Sequence, residues 1–438
     1  MPGSPRFDAH HDHLTTIRGA LLCAADPAPA LRAATPDSIL LGRTLVLAVG
    51  KASLAMARAV ASSVPTGSVR GLILAPESIL PDVPPLPSFS TFPVDHPLPT
   101  TRNVAATAAA EREIDGMRPG DRLLVLLSGG ASAHLCAPCA PLTVEHLAAL
   151  TRDLLLAGAP IGELNSIRRN LERFKGGGLA QFAESRGVSV RSLILSDVIG
   201  DPLQDIASGP TTSNPTSPAE ALAILEGRSL TTRHRAVSEF LRDRARSPWS
   251  PRPVHARNTI IASNDDAVEA AARAAIEIGF STVIVRRRVI GPAADAGRSL
   301  ASEAAALRAS GVASFAIIAG GETTVSIAPT AGSHPPPPGG RNQELALAAA
   351  IALAGTPRVA LVSLATDGVD GLAPAPPVAG AIVTGQTVSR ARALQSDPFR
   401  ALADHESYRF FHTLGDHVTT GPTGTNVCDV QILLAYPP

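Results

Sequence analysis

The sequence predicts an α/β protein of two domains with mostly parallel sheets, and three observations lead to that prediction. Apolar runs rich in Val, Ile and Leu recur along the 438 residues, and a helical pattern follows most of them. Many of these runs end at Gly or Asp, as strands do where an α/β sheet binds ligands. The proline-rich stretch ARSPWSPRPVHAR separates two such series and indicates a linker. We therefore expect domains over residues 1–246 and 254–438.

The individual elements follow from the same patterns. The predicted strands of the first half are Thr44–Val49, Leu72–Ala75, Arg122–Leu127 and Ser192–Leu195, and its predicted helices include Leu14–Ala24, Ala52–Ser62, Val104–Asp115 and Val144–Ala157. The second half begins with strand NTIIAS and continues through helix NDDAVEAAARAAIEIG, strand STVIVR, a helix to Ser310 and strand ASFAIIA, which form a βαβαβ series. A four-proline loop, helix ELALAAAIALAG and strand RVALVSLA come next.

The composition narrows the possible functions. Basic and acidic residues are equal at 38 each and aromatic residues make up only 3%, which argues against a surface for DNA, RNA or anionic lipid. No apolar run reaches the roughly 18 residues of a membrane span, and the N-terminus lacks the apolar core of a secretory signal. Four cysteines in so long a chain do not form a disulfide framework. We therefore expect a cytoplasmic protein without nucleic-acid or membrane partners.

A lysine follows the first predicted strand. In LVLAVGKASLAMARAV, Gly50 and Lys51 come after the apolar run and before a helical pattern. The segment lacks the first glycine and the Ser/Thr of the nucleotide-binding P-loop, G-x-x-x-x-G-K-S/T. A lysine at a strand-to-helix junction still adds positive charge where a helix N-terminus already attracts anions. Lys51 is therefore a candidate ligand for a phosphate or carboxylate.

Glycine lies close to Lys, Ser, Asp or Glu at five predicted strand ends. Small residues let backbone N–H groups approach a phosphate, and carboxylates can bind Mg²⁺. One such junction is more often a turn than a site, whereas five together indicate a ligand-binding edge. The junctions are Gly50-Lys51, Ser128-Gly129-Gly130-Ala131-Ser132, Ser196-Asp197 followed by Gly200-Asp201, Gly320-Gly321-Glu322, and Asp367-Gly368-Val369-Asp370-Gly371.

Arg341 opens a predicted helix after the proline loop, in GGRNQE. Its guanidinium could clamp a carboxylate or phosphate through two parallel hydrogen bonds. A surface arginine that caps the helix is the alternative.

The segment HLCAPC contains a C-x-x-C pair, Cys136 and Cys139, with His134 just before it. Redox chemistry or zinc binding would use such a pair, but no second C-x-x-C exists and the deaminase pattern around His134 is absent. We expect buried or half-buried thiols.

Taken together, these segments resemble the class II D-glycerate 2-kinases, whose C-terminal part is called the MOFRL domain. The resemblance covers nearly the whole chain and rests on nine motifs in order: VGKASLAMA, DHPLPT, LLSGGASA, LNSIRRNLERFKGGGLA, LSDVIGDPLQDIASGPTTSNPT, GGETTV, GGRNQELAL, TDGVDG…AGA and TGPTGTN. It implies a larger Rossmann-like N-terminal domain, a smaller α/β domain and an active site in the cleft between them. The implied reaction is transfer of a phosphoryl group from ATP, with Mg²⁺, to the 2-hydroxyl of D-glycerate, giving 2-phosphoglycerate and ADP.

The resemblance also assigns roles to single residues. Lys51 and Arg341 take the principal catalytic and substrate-contacting positions, although which of them meets the carboxylate and which the phosphate stays open. Asp197 is the first candidate to bind Mg²⁺ or to accept the hydroxyl proton, and Glu322 is a second candidate Mg²⁺ ligand. The implied substrate- or nucleotide-binding positions are Ser128, Gly129, Gly130, Ser132, Asn165, Gly320, Gly321, Glu322 and Asp367.

Three departures from the family pattern affect ligand contacts rather than these assignments. Ala131 stands where a third glycine is common, Asn170 and Glu172 stand where His and Ser are usual, and the loop before Ala379 lacks an acidic residue.

Two other functions stay open beside the kinase: an NAD(P)H-dependent hydroxypyruvate reductase and a non-catalytic nucleotide-sensing module. No G-x-G-x-x-G dinucleotide motif follows a strand here, which argues against the reductase. A homodimer is also left open.

Overall fold

The computed structural model describes residues 5–34, 43–65, 68–80, 84–327, 337–374 and 376–437. Two six-stranded sheets, each carrying helices and its own hydrophobic core, confirm the predicted two-part α/β class. The chain divides into two compact units. The first unit is Pro27–Ile261, and the second unit combines Met1–Asp26 with Ala262–Pro438.

The first unit contains a parallel sheet in the order β3-β2-β1-β4-β5-β6. All of its strand pairs from β3 to β5 are parallel. The strands β1 and β4 are buried along nearly their whole length, as their unbroken apolar sequences predicted. In chain order the described elements of this unit are α2 (Pro27–Ala34), β1 (Thr44–Val49), α3 (Ser53–Ser62), β2 (Arg70–Pro76), β3 (Phe89–Val94), α4 (Thr101–Asp115), β4 (Arg122–Leu127), α5 (Ala131–His134), α6 (Val144–Leu156), α7 (Ile161–Leu171), α8 (Gly178–Glu184), β5 (Ser189–Leu195), α9 (Pro218–Gly227), α10 (Arg235–Ala245) and β6 (Arg257–Ala262).

The units do not have the bounds expected for the domains. The helix α1 (His10–Ala25) joins the second unit, where it packs against α11 (Asn264–Ile278). The strand β6, predicted to open the second βαβαβ series, is instead the edge strand of the first sheet. The proline-rich stretch near residue 250 therefore leads from α10 back into the first sheet. The prolines do mark an interruption of regular secondary structure there, but a proline-rich stretch does not indicate which sheet the next strand joins.

The second sheet has the order β11-β10-β9-β12-β8-β7 and is mostly antiparallel among the described pairs. Only β7 and β8 pair in parallel there, so the expectation of parallel pairing holds for the first sheet and is wrong for the second. The last strand inserts between β9 and β8 and runs against both. The remaining elements of this unit are β7 (Thr282–Pro292), α12 (Ala293–Ala309), β8 (Phe315–Thr324), α13 (Arg341–Ala352), β9 (Val359–Ala365), β10 (Gly380–Thr384), α14 (Thr387–Ala393), α15 (Pro398–Ala403), α16 (Ser407–Leu414), β11 (His417–Val418) and β12 (Asp429–Ala435).

Gly320 and Gly321 lie inside β8, not in the turn after it, because the strand continues to Thr324. A Cβ on Gly320 would lie 2.2 Å from Asn264 Oδ1 on α11, and one on Gly321 would lie 1.9 Å from the Val289 carbonyl oxygen on β7. The two glycines therefore allow neighbouring backbone and side chains to pack closely against the strand. This junction is a packing feature of the sheet, unlike the loop that the sequence predicted.

This packing leads to a testable expectation. We expect Gly321→Ala to destabilise the protein by about 3 kcal/mol, because the added methyl group meets fixed backbone rather than a movable side chain. Gly19→Ala, on α1 of the same unit, is the matched control because a Cβ there meets nothing within 4 Å. Urea unfolding followed by circular dichroism compares the two. Equal midpoints for both variants would contradict the expectation.

No helix in the described part of the chain is both long enough and apolar enough to cross a membrane.

Candidate active site

The loops after β1 and β4 flank the point where the first sheet reverses its strand order. These two strands are neighbours, with β2 and β3 on one side of the pair and β5 and β6 on the other. At such a point the connections leave toward opposite sides and open a crevice at the carboxyl ends of the strands. The two loops are 50–53 and 128–132, so the sheet brings the predicted Lys51 and glycine loops together.

Gly50 allows these two loops to touch. It has φ of +123°, and a Cβ there would lie 2.2 Å from Ser128 Oγ. The Lys51 amide donates to the Gly129 carbonyl at 2.8 Å, and the Ala52 amide donates to Ser128 Oγ at 3.0 Å. The buried Ser128 hydroxyl, predicted to meet a ligand, therefore holds the two loops together in this structure.

Two imidazoles lie beside Lys51 around Gly130. A Cβ on Gly130 would lie 3.3 Å from His96, 3.5 Å from His134 and 3.5 Å from Lys51 Cγ, and Gly130 has φ of +82°. The two rings meet edge to face, with centroids 5.8 Å apart. Sequence reasoning did not place His96 in the site, although it lies in the quoted motif DHPLPT. Its histidine is adjacent to a proline and gave no sign that it would approach Gly130.

His134 is fully buried, and neither of its ring nitrogens has a hydrogen-bond partner among the described residues. Burial, followed by the charges of His96, Lys175 and Lys51, lowers the pKa of His134 to about 3. Burial and the charges of Lys51 and Arg168 also lower the pKa of His96, a residue that is exposed overall. His134 is therefore neutral at pH 7 and adds no positive charge to that of Lys51.

The buried imidazole makes stability depend on pH. Below pH 6.5 the unfolded chain protonates His134 while the folded chain does not, so the free energy of unfolding falls as pH falls toward the folded-state pKa of about 3. We expect His134 alone to lower the free energy of unfolding by about 2 kcal/mol as the pH falls from 6.5 to 5. Urea unfolding followed by the fluorescence of Trp249, in the same unit, measures it. His134→Gln should flatten the pH dependence, and an unchanged slope in that variant would contradict this account.

Predicted Ser132 and Asn165 are linked through Ser208. Ser208 Oγ lies 3.0 Å from Ser132 Oγ and donates to Asn165 Oδ1 at 2.9 Å. Ser208 and its neighbour Ala207 have φ of +59° and +55°, a strained backbone for non-glycine residues that often marks functional sites. Lys175 Nζ donates to the Ser132 carbonyl at 2.6 Å. Ser208 and Lys175 were not predicted, although both lie inside the quoted motifs.

Lys175 and Glu172 are buried charges that offset each other. Burial lowers the pKa of Lys175 and raises that of Glu172, and each charge opposes the shift of the other. The glutamate, which departs from the family pattern, also accepts a hydrogen bond from the Ala137 amide at 3.4 Å. It therefore provides a negative charge beside the lysine that supports the Ser132 loop.

Asp197 follows β5, the strand next to β4, and thus lies at the same edge of the first sheet as Gly129. A tight turn follows it, in which the Asp201 amide donates to the Val198 carbonyl at 3.0 Å. Gly200 and Asp201 have φ of +83° and +55° in this turn. The predicted position of Asp197 at a strand end is confirmed.

Cys136 and Cys139 are free thiols, one buried and one half-buried, as predicted. Burial raises the pKa of both, which keeps them protonated at neutral pH.

The second unit gathers carboxylates at one edge of its sheet. Asp429, at the start of β12, pairs in register with Gly321 on one side and with Ala365 on the other. Because β12 runs against both neighbours, its first residue lies beside their carboxyl ends. Asp429 therefore joins Glu322 and the Asp367 loop at that edge. Sequence reasoning missed Asp429, since it considered only the carboxyl ends of strands.

Arg341 is the first residue of α13 and binds two of these carboxylates. Its Nε and Nη2 donate to the two Asp429 oxygens at 2.6 and 3.1 Å, and its Nη1 donates to Glu322 Oε1 at 2.6 Å. Among the described residues these bonds use three of the five guanidinium N–H donors and leave two for a ligand. The bidentate pair fixes the plane of the guanidinium.

Burial shapes the charges of this cluster. It raises the pKa of the Asp429 carboxyl, and the guanidinium of Arg341 offsets part of that rise. Burial alone would lower the pKa of Arg341, but Asp429 and Glu322 outweigh it and raise that pKa. Arg341 is thus held as a cation by acidic partners rather than standing as the surface helix cap considered from the sequence.

Asp370 performs the capping that Arg341 does not. Its buried carboxylate accepts hydrogen bonds from the backbone amides of Asn342 and Gln343 at 3.0 and 2.9 Å, at the first turn of α13. The side chains of the same two residues bond to it as well. Asp367 accepts a hydrogen bond from the Val369 amide, and its carbonyl accepts one from Thr423 of TGPTGTN. Two of the quoted motifs thus meet at the edge where Arg341 lies.

Comparisons with known proteins identify the family of this chain. Residues 13–242 match a family model described as a domain of unknown function (DUF4147), and residues 315–429 match the MOFRL family. A protein of Agrobacterium vitis named "Putative hydroxypyruvate reductase" is 35% identical over 426 residues, which cover 96% of this chain and 93% of that protein. A D-glycerate 2-kinase of Thermotoga maritima is 34% identical over 399 residues, covering 90% of each protein.

A crystal structure of a glycerate kinase from Thermotoga maritima matches the fold with a TM-score of 0.84 and 31% identity, covering 98% of this chain and all of that chain. With both family models and a D-glycerate 2-kinase matched over most of its length, this chain belongs to the glycerate 2-kinase family that carries a C-terminal MOFRL domain.

Proposed function

We propose that this protein transfers the γ-phosphoryl group of ATP to the 2-hydroxyl of D-glycerate, giving 2-phosphoglycerate and ADP. The observation that carries the proposal is the pair of joined loops at the switch point of the first sheet, with Lys51 at their centre, in a chain of the glycerate 2-kinase family. Phosphoryl transfer asks a protein mainly to position its substrates and to stabilise charge.

Lys51 supplies a compact positive charge at the crevice. In this proposal its ammonium group stabilises the negative charge that develops on the transferring phosphoryl group, or holds the carboxylate of glycerate. The neighbouring His134 stays neutral and buried, so it shapes the crevice without competing for the anion.

Arg341 supplies a planar, oriented cation. Asp429 fixes its guanidinium, and the two remaining N–H donors suit an oxygen pair of a carboxylate or phosphate. Lys51 and Arg341 can each bind either the carboxylate of glycerate or a phosphate of ATP.

The carboxylates fit a Mg²⁺ ion that arrives with ATP. Mg²⁺ is bound in kinases by one or two carboxylates together with substrate phosphates, rather than by a complete cage of protein ligands. When bound, Mg²⁺ neutralises phosphate charge, and Asp197 or Glu322 would hold it. Asp197 is also our first candidate to accept the hydroxyl proton.

³¹P NMR of a reaction with ATP, Mg²⁺ and D-glycerate tests the proposal. We expect signals of ADP and of a secondary phosphate ester at the 2-position, and neither signal without enzyme. A primary ester at the 3-position would refute the assigned hydroxyl. ATP that stays intact in the presence of D-glycerate would refute the kinase and favour a nucleotide-sensing module.

A hydroxypyruvate reductase is the second candidate, because a relative that covers 96% of this chain carries that name. A reductase would consume NADH in the presence of hydroxypyruvate, and absorbance at 340 nm would follow that loss. It would release no ADP from ATP in the presence of D-glycerate. The two assays give opposite results for the two functions.

We further propose that the protein works in the cytoplasm, where its four free cysteines would stay reduced. Sedimentation analysis would distinguish a monomer from the homodimer that the sequence left open.

A further inference from the structure

The first unit contains a polar pocket of about 540 Å³ that the proposed reaction does not use. It is formed by residues of α7, α8 and α10, the glycine-rich turn after Lys175, and the proline-rich stretch 247–252. None of its lining residues belongs to the strand-end loops 50–53, 128–132 or 196–201. A volume of this size suits a small organic ligand.

Positive charge dominates the pocket wall. Five basic side chains line it against a single carboxylate, Glu172; the five are Arg169, Arg173, Lys175, Arg244 and Arg252. Such an excess of one sign in a concave surface concentrates anions.

Three of the five cations are already engaged by protein groups. Arg173 forms a bidentate pair with Glu111, and Arg169 donates to Asp205 at 2.9 Å. Lys175 bonds to the Ser132 carbonyl and lies near Glu172. Arg169 is nevertheless incompletely satisfied, because its buried Nε has no hydrogen-bond partner among the described residues.

Arg244 and Arg252 lack a carboxylate partner among the described residues. Arg244 donates to the Asn170 carbonyl at 3.0 Å and lies 4.0 Å from Cys139 Sγ. For Arg252, the backbone carbonyl accepts a hydrogen bond from Ser213, while the guanidinium makes no hydrogen bond within the described part of the chain. These two guanidinium groups are therefore available to an anion.

Trp249 adds an aromatic surface to the same pocket. It is the only tryptophan of the chain and is 37% exposed, between Pro248 and Ser250 of the lining. A partly exposed indole beside arginines suits a planar ring, which stacks on its face while the arginines bind an attached phosphate.

We infer that this pocket is a second ligand site, which binds an organic phosphate with a planar ring, the class to which nucleotides belong. The phosphate meets Arg244 and Arg252, and the ring stacks on Trp249. The site stands apart from the proposed reaction, yet its wall includes Lys175, whose ammonium group supports the Ser132 loop.

Because Trp249 is the only tryptophan and lines this pocket, its fluorescence provides a direct signal for binding there. In titrations of the whole protein with AMP, without Mg²⁺, we expect saturable quenching. Adenosine and ribose 5-phosphate should each bind at least about tenfold more weakly, since each lacks one of the two recognised groups.

Variants locate the site. Arg244→Gln and Arg252→Gln should each raise the Kd for AMP at least about tenfold, whereas Arg242→Gln should not, because Arg242 lies on the same helix but does not line the pocket. Calorimetry on the same proteins should show the loss of one binding step in the first two variants only.

Three results would overturn the inference: no change in emission or heat with millimolar AMP, equal affinity in the Arg244→Gln and Arg242→Gln proteins, or ribose 5-phosphate binding as tightly as AMP. The measurement does not depend on turnover. Absence of 2-phosphoglycerate in the NMR assay would therefore refute the proposed reaction but would not contradict the second ligand site.

Discussion

Lys51→Met should lower turnover by about 10²- to 10³-fold while the protein stays folded. The side chain lies at the strand end where β1 meets the loop after β4, and its backbone amide, unchanged by the substitution, forms the bond that joins the two loops at 2.8 Å. Removing one preorganised group that stabilises developing charge costs about 3–4 kcal/mol of transition-state free energy. Methionine keeps the length and apolar stem of lysine, so the loss reports on the charge.

Steady-state kinetics with ATP and D-glycerate measure this effect, and Lys51→Arg provides the matched control. Arginine keeps the charge but presents a planar fork in place of a compact ammonium, so we expect part of the activity to return. The 38 basic residues of the chain include only two lysines, Lys51 and Lys175. Near-normal turnover in the methionine variant would remove Lys51 from the mechanism.

Arg341→Met should destabilise the protein by about 3–5 kcal/mol and abolish turnover. The substitution leaves the buried Asp429 carboxylate, 1% exposed, without its cation. Burial already raises the pKa of Asp429, and the loss of Arg341 should raise it further, because the guanidinium opposes that rise.

This change has a definite pH signature. In the folded variant, the Asp429 carboxyl binds a proton because its pKa is raised. In the unfolded variant the same carboxyl has its ordinary acidic pKa and is deprotonated between pH 6 and 8. Stability of Arg341→Met should therefore fall as pH rises from 6 to 8, more steeply than that of the unmodified protein. Urea unfolding followed by circular dichroism at both pH values measures this.

The double variant Arg341→Met, Asp429→Asn is the control. It removes the unpaired charge, so it should recover much of the stability while staying inactive. A double variant no more stable than Arg341→Met would show that packing, rather than charge, explains the loss.

Sequence alone predicted the first unit better than the second. A strand buried on both faces is apolar along its whole length, so β1 and β4 were recognised with their bounds, and Lys51 and Asp197 were placed at strand ends. The same apolar signal carries no strand direction. The antiparallel insertion of β12 between β8 and β9 was therefore missed, and Asp429 with it.

The sequence also did not predict the contacts made by small or neutral residues. Gly320 and Gly321 were interpreted as a loop, because the sequence gives no sign of the neighbouring atoms that a Cβ would meet. His134 was considered only as a possible metal ligand, since its burial beside Gly130 depends on the tertiary fold. Motif order identified the family, whereas the partners of each motif residue required coordinates.

The two-part make-up of the second unit has a consequence for the order in which the chain can fold. The helix α1 carries the apolar residues Leu14, Ile17 and Leu21, which are buried in the finished protein, and it packs against α11. A ribosome that adds 5–20 residues per second makes α11 roughly 10 to 50 seconds after α1. During that interval the continuous stretch Pro27–Ile261 can complete its own sheet, while a nascent amphipathic helix waits for its partner. We therefore expect chaperones that bind exposed apolar segments to bind this chain at its first helix, α1, during synthesis.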